Sequence, residues 1–460
     1  MMGRTHREAT PPDVQLTKIE DPNIITQIRE YQLITPLFGG GVKAGENDSL
    51  TPIRGTAIRG QLRYWWRATR GGKPEFEGNL KKMKEAEGHI WGTATLTKDQ
   101  SPQKIADVIQ IRVEIIHGGS AKEPFEIPEE KTQSGKFKSR EHSENKIHSY
   151  AAFPIQPQDK DLSGSEKPPL KKVQEDIKFR LTISFPRHIV SEIEAALWAW
   201  ETIGGVGART RRGFGALRLL TVDSKVHNDF PISEKNIDVH KWMTEKLGKY
   251  IPENAQWPEE VPHLEKGMAL QAATKAKDAK FAWYNLIKKL FAFRQTPFGR
   301  SGRSCWPEAE TIRHLTKKRH YGEKNHPKKF PRAAFGLPII FHFKDDEKTT
   351  SKNPDPQETI LQPKGTKDEE KIEQGGRFAS PLILKPLTCK NNQSVGIAFI
   401  LEGSNLPAEG IILVEKDNKD NTYPVEAQLT AADLKQLPEL KLQGQTDILK
   451  AFMNYLGENR

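Results

Sequence analysis

The feature that most narrows the possible folds is a glycine–arginine loop, GGVGARTRRGFG (residues 204–215), set between SEIEAALWAWETI and ALRLLTV. The spacing of apolar residues makes the first flank an amphipathic helix and the second a strand. A dinucleotide-binding glycine loop follows a strand and opens a helix, so the order found here excludes that fold, and the lack of a GxxxxGK[ST] run excludes a P-loop. Glycines permit positive φ and close approach of a backbone, and successive N–H groups in such a loop can form an anion-binding nest. Gly205, Gly207 and Gly213, with Arg209, Arg211 and Arg212 adding charge, are therefore candidate anion contacts, with an ordinary glycine turn as the alternative.

Upstream of the loop, ITQIREYQLITPLF (25–38) alternates apolar with polar residues and stops at three glycines, as a half-buried strand does. TAIRGQLRYWWRATRGG then places Ile58, Leu62, Trp65 and Ala68 at helical spacing before Gly71 and Gly72, and a shorter helical stretch covers residues 80 to 90. Two strand-like runs follow, ADVIQIRVEIIHGG (106–119) and IKFRLTISFP (177–186). The resulting order, β-α-β-β-α-β, is the split βαβ or ferredoxin-like arrangement, shared by RNA-recognition domains. The second half repeats the ingredients: a helix, KFAWYNLIKKLFAF (280–293), strand-like runs at 336–343, 380–387, 394–401 and 410–416, and a closing helix, TDILKAFMNYL.

The expected architecture is α+β, with two tandem ferredoxin-like (RRM-like) domains at 25–225 and 226–460 after a disordered leader, 1–24. Polar insertions at about 120–176 and 344–372 dilute the core, which accounts for only 35% hydrophobic residues in a chain of 460. The first insertion reads as a protruding hairpin or mobile thumb with one apolar island, SYAAFPI (149–155).

Lys and Arg number 71 against 60 Asp and Glu, a formal charge of +11, which makes a polyanion the natural partner. Between Pro52 and Gly72 stand Arg54, Arg59, Arg63, Arg67 and Arg70 without one acid. The last four step by four, four and three and share one helix stripe. Guanidinium forks suit phosphate oxygens, so nucleic-acid backbone or a partner's acidic surface would satisfy the row, as would acids from elsewhere in the fold. Tyr64, Trp65 and Trp66 lie inside it, where core packing is favoured over base stacking. KKRHYGEKNHPKKFPR (317–332), and Arg294, Arg300 and Arg303 in FRQTPFGRSGRSCW, are solvated loops or phosphate contacts.

LTPIRGTAIRGQLRYWWRA together with ETIGGVGARTRRGFGAL resembles the RAMP superfamily of CRISPR RNA-binding proteins, and more narrowly its subunit that caps the crRNA 3′ end in type III-B (Cmr) effector complexes. FPRAAFGLPIIFHF and GGRFASPLILKPL resemble the same family's C-terminal domain, so the likeness spans most of residues 30 to 400. It implies tandem ferredoxin-like RAMP domains and a non-catalytic subunit, with crRNA, target single-stranded RNA and other RAMP subunits of the Cmr complex as partners. Two alternatives stand beside it. One is a metal-independent RAMP endoribonuclease using a histidine, for which His89, His117, His142 and His148 are available but not distinguished by spacing. The other is a scaffold whose arginine stripe docks an acidic neighbour. Asp48 invites comparison with the aspartate by which related backbone subunits promote cleavage, though its GEND setting is that of an ordinary turn. Cys305 and Cys389 are too few for a disulfide framework or a Cys-built metal site, and no HExxH or CxxC occurs, so neither metal nor cofactor is expected. No apolar window approaches a membrane span and the N-terminus has no apolar h-region, which predicts a cytoplasmic protein.

Overall fold

The computed structural model describes residues 21–41, 45–48, 50–92, 109–133, 135–158, 161–259, 261–295, 297–298, 303–318, 327–343, 355–365, 376–403, 406–418, 421–440 and 442–458. The expected leader, 1–24, lies mostly outside these residues.

The first half follows its sequence pattern closely. β1 (Ile24–Leu33), β2 (Gln110–His117), β3 (Lys178–Pro186) and β4 (Leu217–Val222) form an antiparallel sheet in the order β2-β3-β1-β4, extended by Lys225–Val226. Along β3 every second residue, Phe179, Leu181, Ile183 and Phe185, is buried, as a period of two requires when one face meets the core. Against that face pack α1 (Gly55–Arg70) and α3 (Val190–Thr202), with α2 (Leu80–Trp91) beside α1. The order and the two helices are those of a ferredoxin-like domain. Asp48 holds the turn that leads into α1, accepting from the N–H groups of Leu50 and Thr51 and from the Thr51 hydroxyl. These bonds, the Thr51 N–H first, keep its carboxyl below the usual range.

The second half opens with α4 (Asn236–Tyr250), then β5 (Leu270–Ala276), α5 (Ala279–Gln295) and α6 (Glu308–Leu315). β6 (Ile339–Phe341), β7 (Thr359–Pro363), β8 (Leu382–Thr388), β9 (Ser394–Ile400), β10 (Ile411–Glu415), β11 (Thr422–Val425) and α7 (Ile448–Glu458) follow. β5, α5, β8, β9 and α7 repeat the ferredoxin-like course as a three-stranded sheet, β5-β9-β8, with α5 and α7 packed on it. The remaining strands build a separate antiparallel sheet, β6-β7-β10-β11. Three sequence expectations change here. The strand-like runs at 336–343 and 410–416 both belong to this extra sheet, and β7 lies inside the span read as a polar excursion.

The insertion at 120–176 is likewise packed rather than protruding over its described residues. Ala151, Ala152 and Ile155 of the apolar island, with Phe125, Ile147 and Val173, are buried in one cluster with Trp283 and Leu286 of α5. Aliphatic groups on the island give the insertion something to bury, which polar composition averaged over the whole span concealed.

Glu192 ties α1 to α3, accepting from Trp66 Nε1 (2.8 Å) and from Arg70 (2.9 Å) while almost wholly buried. Glu192→Gln removes the charge and keeps the shape. It is expected to lower unfolding free energy by about 1–3 kcal/mol in a urea titration, the range for hydrogen bonds to a charged buried group; an unchanged midpoint would contradict the tie.

Candidate nucleic-acid interface

The glycine–arginine loop sits on β8. Arg212 is buried and donates to the carbonyls of Leu382 (2.9 Å) and Phe335 (3.1 Å), while its own carbonyl accepts from Trp283 Nε1 (2.6 Å). Gly213, at φ +82°, lies so close to the Trp283 ring that a Cβ would stand 2.5 Å from it. A Cβ at Gly215 would stand 1.9 Å from the Val206 carbonyl. Close approach is thus one of the reasons for these glycines. The anion-nest expectation is corrected at five of the loop's N–H groups: Val206, Ala208, Arg212, Gly213 and Gly215 all donate to backbone carbonyls of the chain itself.

Arginine side chains remain. Arg211 donates to the Ser380 carbonyl and to the Tyr64 hydroxyl (3.0 Å). Arg209 takes a left-handed backbone (φ +55°), and its Nε is buried without a partner. Burial pushes its pKa down, as does the nearby Arg294, partly offset by Tyr150. Arg294 of α5 stacks over Phe335 (5.1 Å) and Tyr150 (5.8 Å). Among the described residues neither Arg209 nor Arg294 is paired with an acid.

These groups line a cleft of about 920 Å³ between the loop, α5, the apolar island of the insertion and the segment leading into β6. No carboxylate is among its described lining residues. Tyr150, Phe153 (61% exposed) and Phe291 (37% exposed) present aromatic surface beside the arginines. His148 supports them from behind: its Nδ1 accepts from the Tyr150 N–H (3.1 Å), and its ring packs against Phe291 (5.3 Å) and Tyr284 (5.5 Å). Burial lowers the His148 pKa, so the ring stays neutral near pH 7. Cation and aromatic surface side by side, without competing acids, can hold phosphate and stack bases of an unpaired strand.

The arginine stripe of α1 has partners within the chain. Arg63 and Arg67 share Glu87 Oε1, each at 2.6 Å; Arg59 donates to the carbonyls of Trp91 and Ile109, Arg70 to Glu192, and Arg54 to the Gly40 carbonyl. Carboxylates from α2 and α3 thus meet Arg63, Arg67 and Arg70 of the acid-free window, while the side chains of Arg63 and Arg67 stay about one third exposed (31% and 32%). Trp65 and Trp66 are core. Arg300 and the side chain of Arg303 lie outside the described residues, as does much of 317–332. His89, His117 and His142 do not line the cleft; the histidine that does is His342, 2.8 Å from Glu358. No group of three or more His, Cys, Asp or Glu among the described residues is placed to hold a metal ion. No described helix is long and apolar enough to cross a membrane.

Residues 30–218 match the family model of the RAMP superfamily. The match spans the ferredoxin-like domain of the first half, from within β1 into β4. The chain is 25% identical over 182 residues to the CRISPR system Cmr subunit Cmr1-1 of Pyrococcus furiosus, an alignment covering 39% of this chain and 44% of that protein, so it spans less than half of that relative's length. Among solved structures, apo Cmr1 from Pyrococcus furiosus aligns at 18% identity and a TM-score of 0.44, over 83% of this chain and 89% of that one. A chain of the type III-B Cmr-beta complex bound to cognate target RNA aligns at 12% identity and a TM-score of 0.45, over 91% and 99%.

The first domain is locked to the second half by one more buried basic side chain. Lys385 of β8 donates to the Gly204 carbonyl and is 1% exposed. Burial alone pushes its pKa down to about 7. The fold disfavours the charged form, so stability from this site is complete above the unfolded lysine value near ~10.4 and is lost as pH falls from there towards 7, with a slope of about 1.4 kcal/mol per pH unit. Lys385→Met is expected to flatten that rise between about pH 7.5 and 9.5 in chemical unfolding; parallel profiles for the two proteins would contradict it.

Proposed function

We propose that the chain is a non-catalytic RNA-binding subunit of a type III-B CRISPR effector complex, holding crRNA near its 3′ end and helping to capture target RNA beside other RAMP subunits. The observation that carries the reading is the acid-free cleft in which Arg209, Arg211 and Arg294 stand beside Tyr150 and Phe291. Arginine forks would neutralise the sugar–phosphate backbone and the rings would stack bases, neither of which reads sequence strongly. Guide pairing would then supply specificity. The similarity to Cmr1-1 and the RAMP model match support the assignment to this kind of complex.

The stripe of α1 and the loop glycines take a different weight in this proposal. Arg54, Arg59, Arg63 and Arg67 contribute positive potential along the approach, since the single carboxylate of Glu87 offsets only one of the two charges on Arg63 and Arg67. Gly205, Gly207 and Gly213 shape the loop that presents Arg209 and Arg211, and Arg212 anchors it. Arg300 and Arg303 remain candidate backbone contacts.

Binding of the purified chain to end-labelled single-stranded RNA in EDTA, across a salt series, tests the proposal. Arg209→Ala with Arg294→Ala is expected to reduce the log–log salt slope by ~0.7 per lost phosphate contact. Tyr150→Ala is expected to cost about 1–3 kcal/mol of binding energy if its ring stacks one base. Unchanged slope and affinity in these variants would overturn the cleft assignment. RNA recovered intact on denaturing gels is the expected result; discrete cleavage abolished by His342→Ala would instead make the protein an endoribonuclease, and no binding at all would favour the scaffold reading.

A further inference from the structure

The two halves of the chain differ at one sheet edge. In the first sheet β4 lies beside β1 and completes the order β2-β3-β1-β4, whereas in the second no described strand occupies the corresponding place beside β5. The backbone there is nonetheless satisfied. The Ala272 N–H donates to Asn236 Oδ1 (3.0 Å), its carbonyl accepts from Gln271 Nε2 (2.8 Å), and the same Nε2 reaches Asn236 Oδ1 (3.3 Å). Two side-chain amides thus make the bonds that a neighbouring strand would make.

A groove of about 1250 Å³ follows this edge. Ala272, Ala273, Ala292 and Val395 give it an aliphatic floor. Lys235, Lys275 and Lys288 stand around it beside one described lining carboxylate, Glu234, which Asn391 already engages (2.8 Å). On α5 the groove residues Asn285, Lys288, Lys289 and Ala292 recur at i, i+3, i+4 and i+7. They form a stripe distinct from that of Phe291 and Arg294, so this surface is separate from the RNA cleft.

We propose that the edge of β5 takes up an extended acidic segment of a protein partner as a fourth strand. Its main chain replaces the Asn236 and Gln271 amides, and alternate carboxylates meet the lysines. The strand edge favours peptide over RNA, because it repeats its donors and acceptors at the spacing of another main chain, although the rings of Tyr455 and His240 also line the groove.

The test uses the full chain and a fluorescein-labelled octapeptide alternating valine and glutamate, followed by fluorescence anisotropy. Comparison peptides carry lysine for glutamate, or backbone N-methyl groups on the odd or the even residues. The acidic peptide is expected to bind at least about tenfold more tightly than the lysine peptide, and Lys275→Glu with Lys288→Glu to weaken it by a similar factor. One N-methyl register should abolish binding and the other retain it, because only alternate N–H groups of an added strand face the sheet. Equal tolerance of both registers would reduce the contact to charge attraction and overturn strand addition. So would failure to bind at millimolar peptide. Displacement of the peptide by oligouridylate in a chain carrying Arg209→Ala and Arg294→Ala would give the groove to RNA. Concentration-dependent self-association lost in the lysine variant would give it to a second copy of the chain.

Discussion

The buried guanidinium of Arg212 joins the two halves, and the arrangement of the cleft depends on it. Its fork spans the carbonyls of Leu382 and Phe335, and its own carbonyl is claimed by Trp283. No carboxylate shares the site; carbonyl dipoles replace water around the cation, and burial draws its pKa down only to about 10, so it remains charged near neutrality. A planar, always-charged fork fixed to carbonyls of two segments sets position and angle together, which a lysine ammonium would not do. With Arg212 held, Arg209 and Arg211 on either side of Thr210 are presented at the cleft mouth.

Charge is distributed unevenly over the first domain. Along α1, Glu87 and Glu192 meet the arginines from neighbouring helices, so that stripe serves the fold first. In the cleft the arginines meet carbonyls, a hydroxyl and aromatic faces instead. Cations balanced in this way keep their field, whereas cations paired with carboxylates largely cancel it. The same contrast separates the lysine-rimmed groove at β5, whose floor is aliphatic, from the arginine-rich cleft, whose walls are aromatic.

Much of the fold was legible in the sequence because both periodicities were clean. Alternation in β1 and β3 and the spacing of Ile58, Leu62, Trp65 and Ala68 in α1 are local signals that tertiary packing reinforced. The partners of the arginine stripe were not legible, since Glu87 and Glu192 are near α1 only after α2 and α3 have packed against it. Part of the loop's N–H row was taken for a related reason: glycines signal unusual backbone, and here Trp283 fills the space at Gly213 while carbonyls of the chain accept from Val206, Ala208, Arg212, Gly213 and Gly215. Tyr150 and Phe291 left faint traces, an apolar island in a polar insertion and one phenylalanine off the buried stripe of α5. Neither trace states that the two would meet. The added sheet β6-β7-β10-β11 escaped notice because its second strand is short and lies among polar residues.

The most direct test of the central claim is where RNA touches the chain. Single-stranded RNA carrying 4-thiouridine, bound to the full chain, crosslinked with near-ultraviolet light and mapped by mass spectrometry, is predicted to mark peptides containing Tyr150, Phe153 and Phe291. Crosslinks confined to the α1 stripe around Tyr64, or to the groove along β5, with the cleft unmarked, would contradict the account.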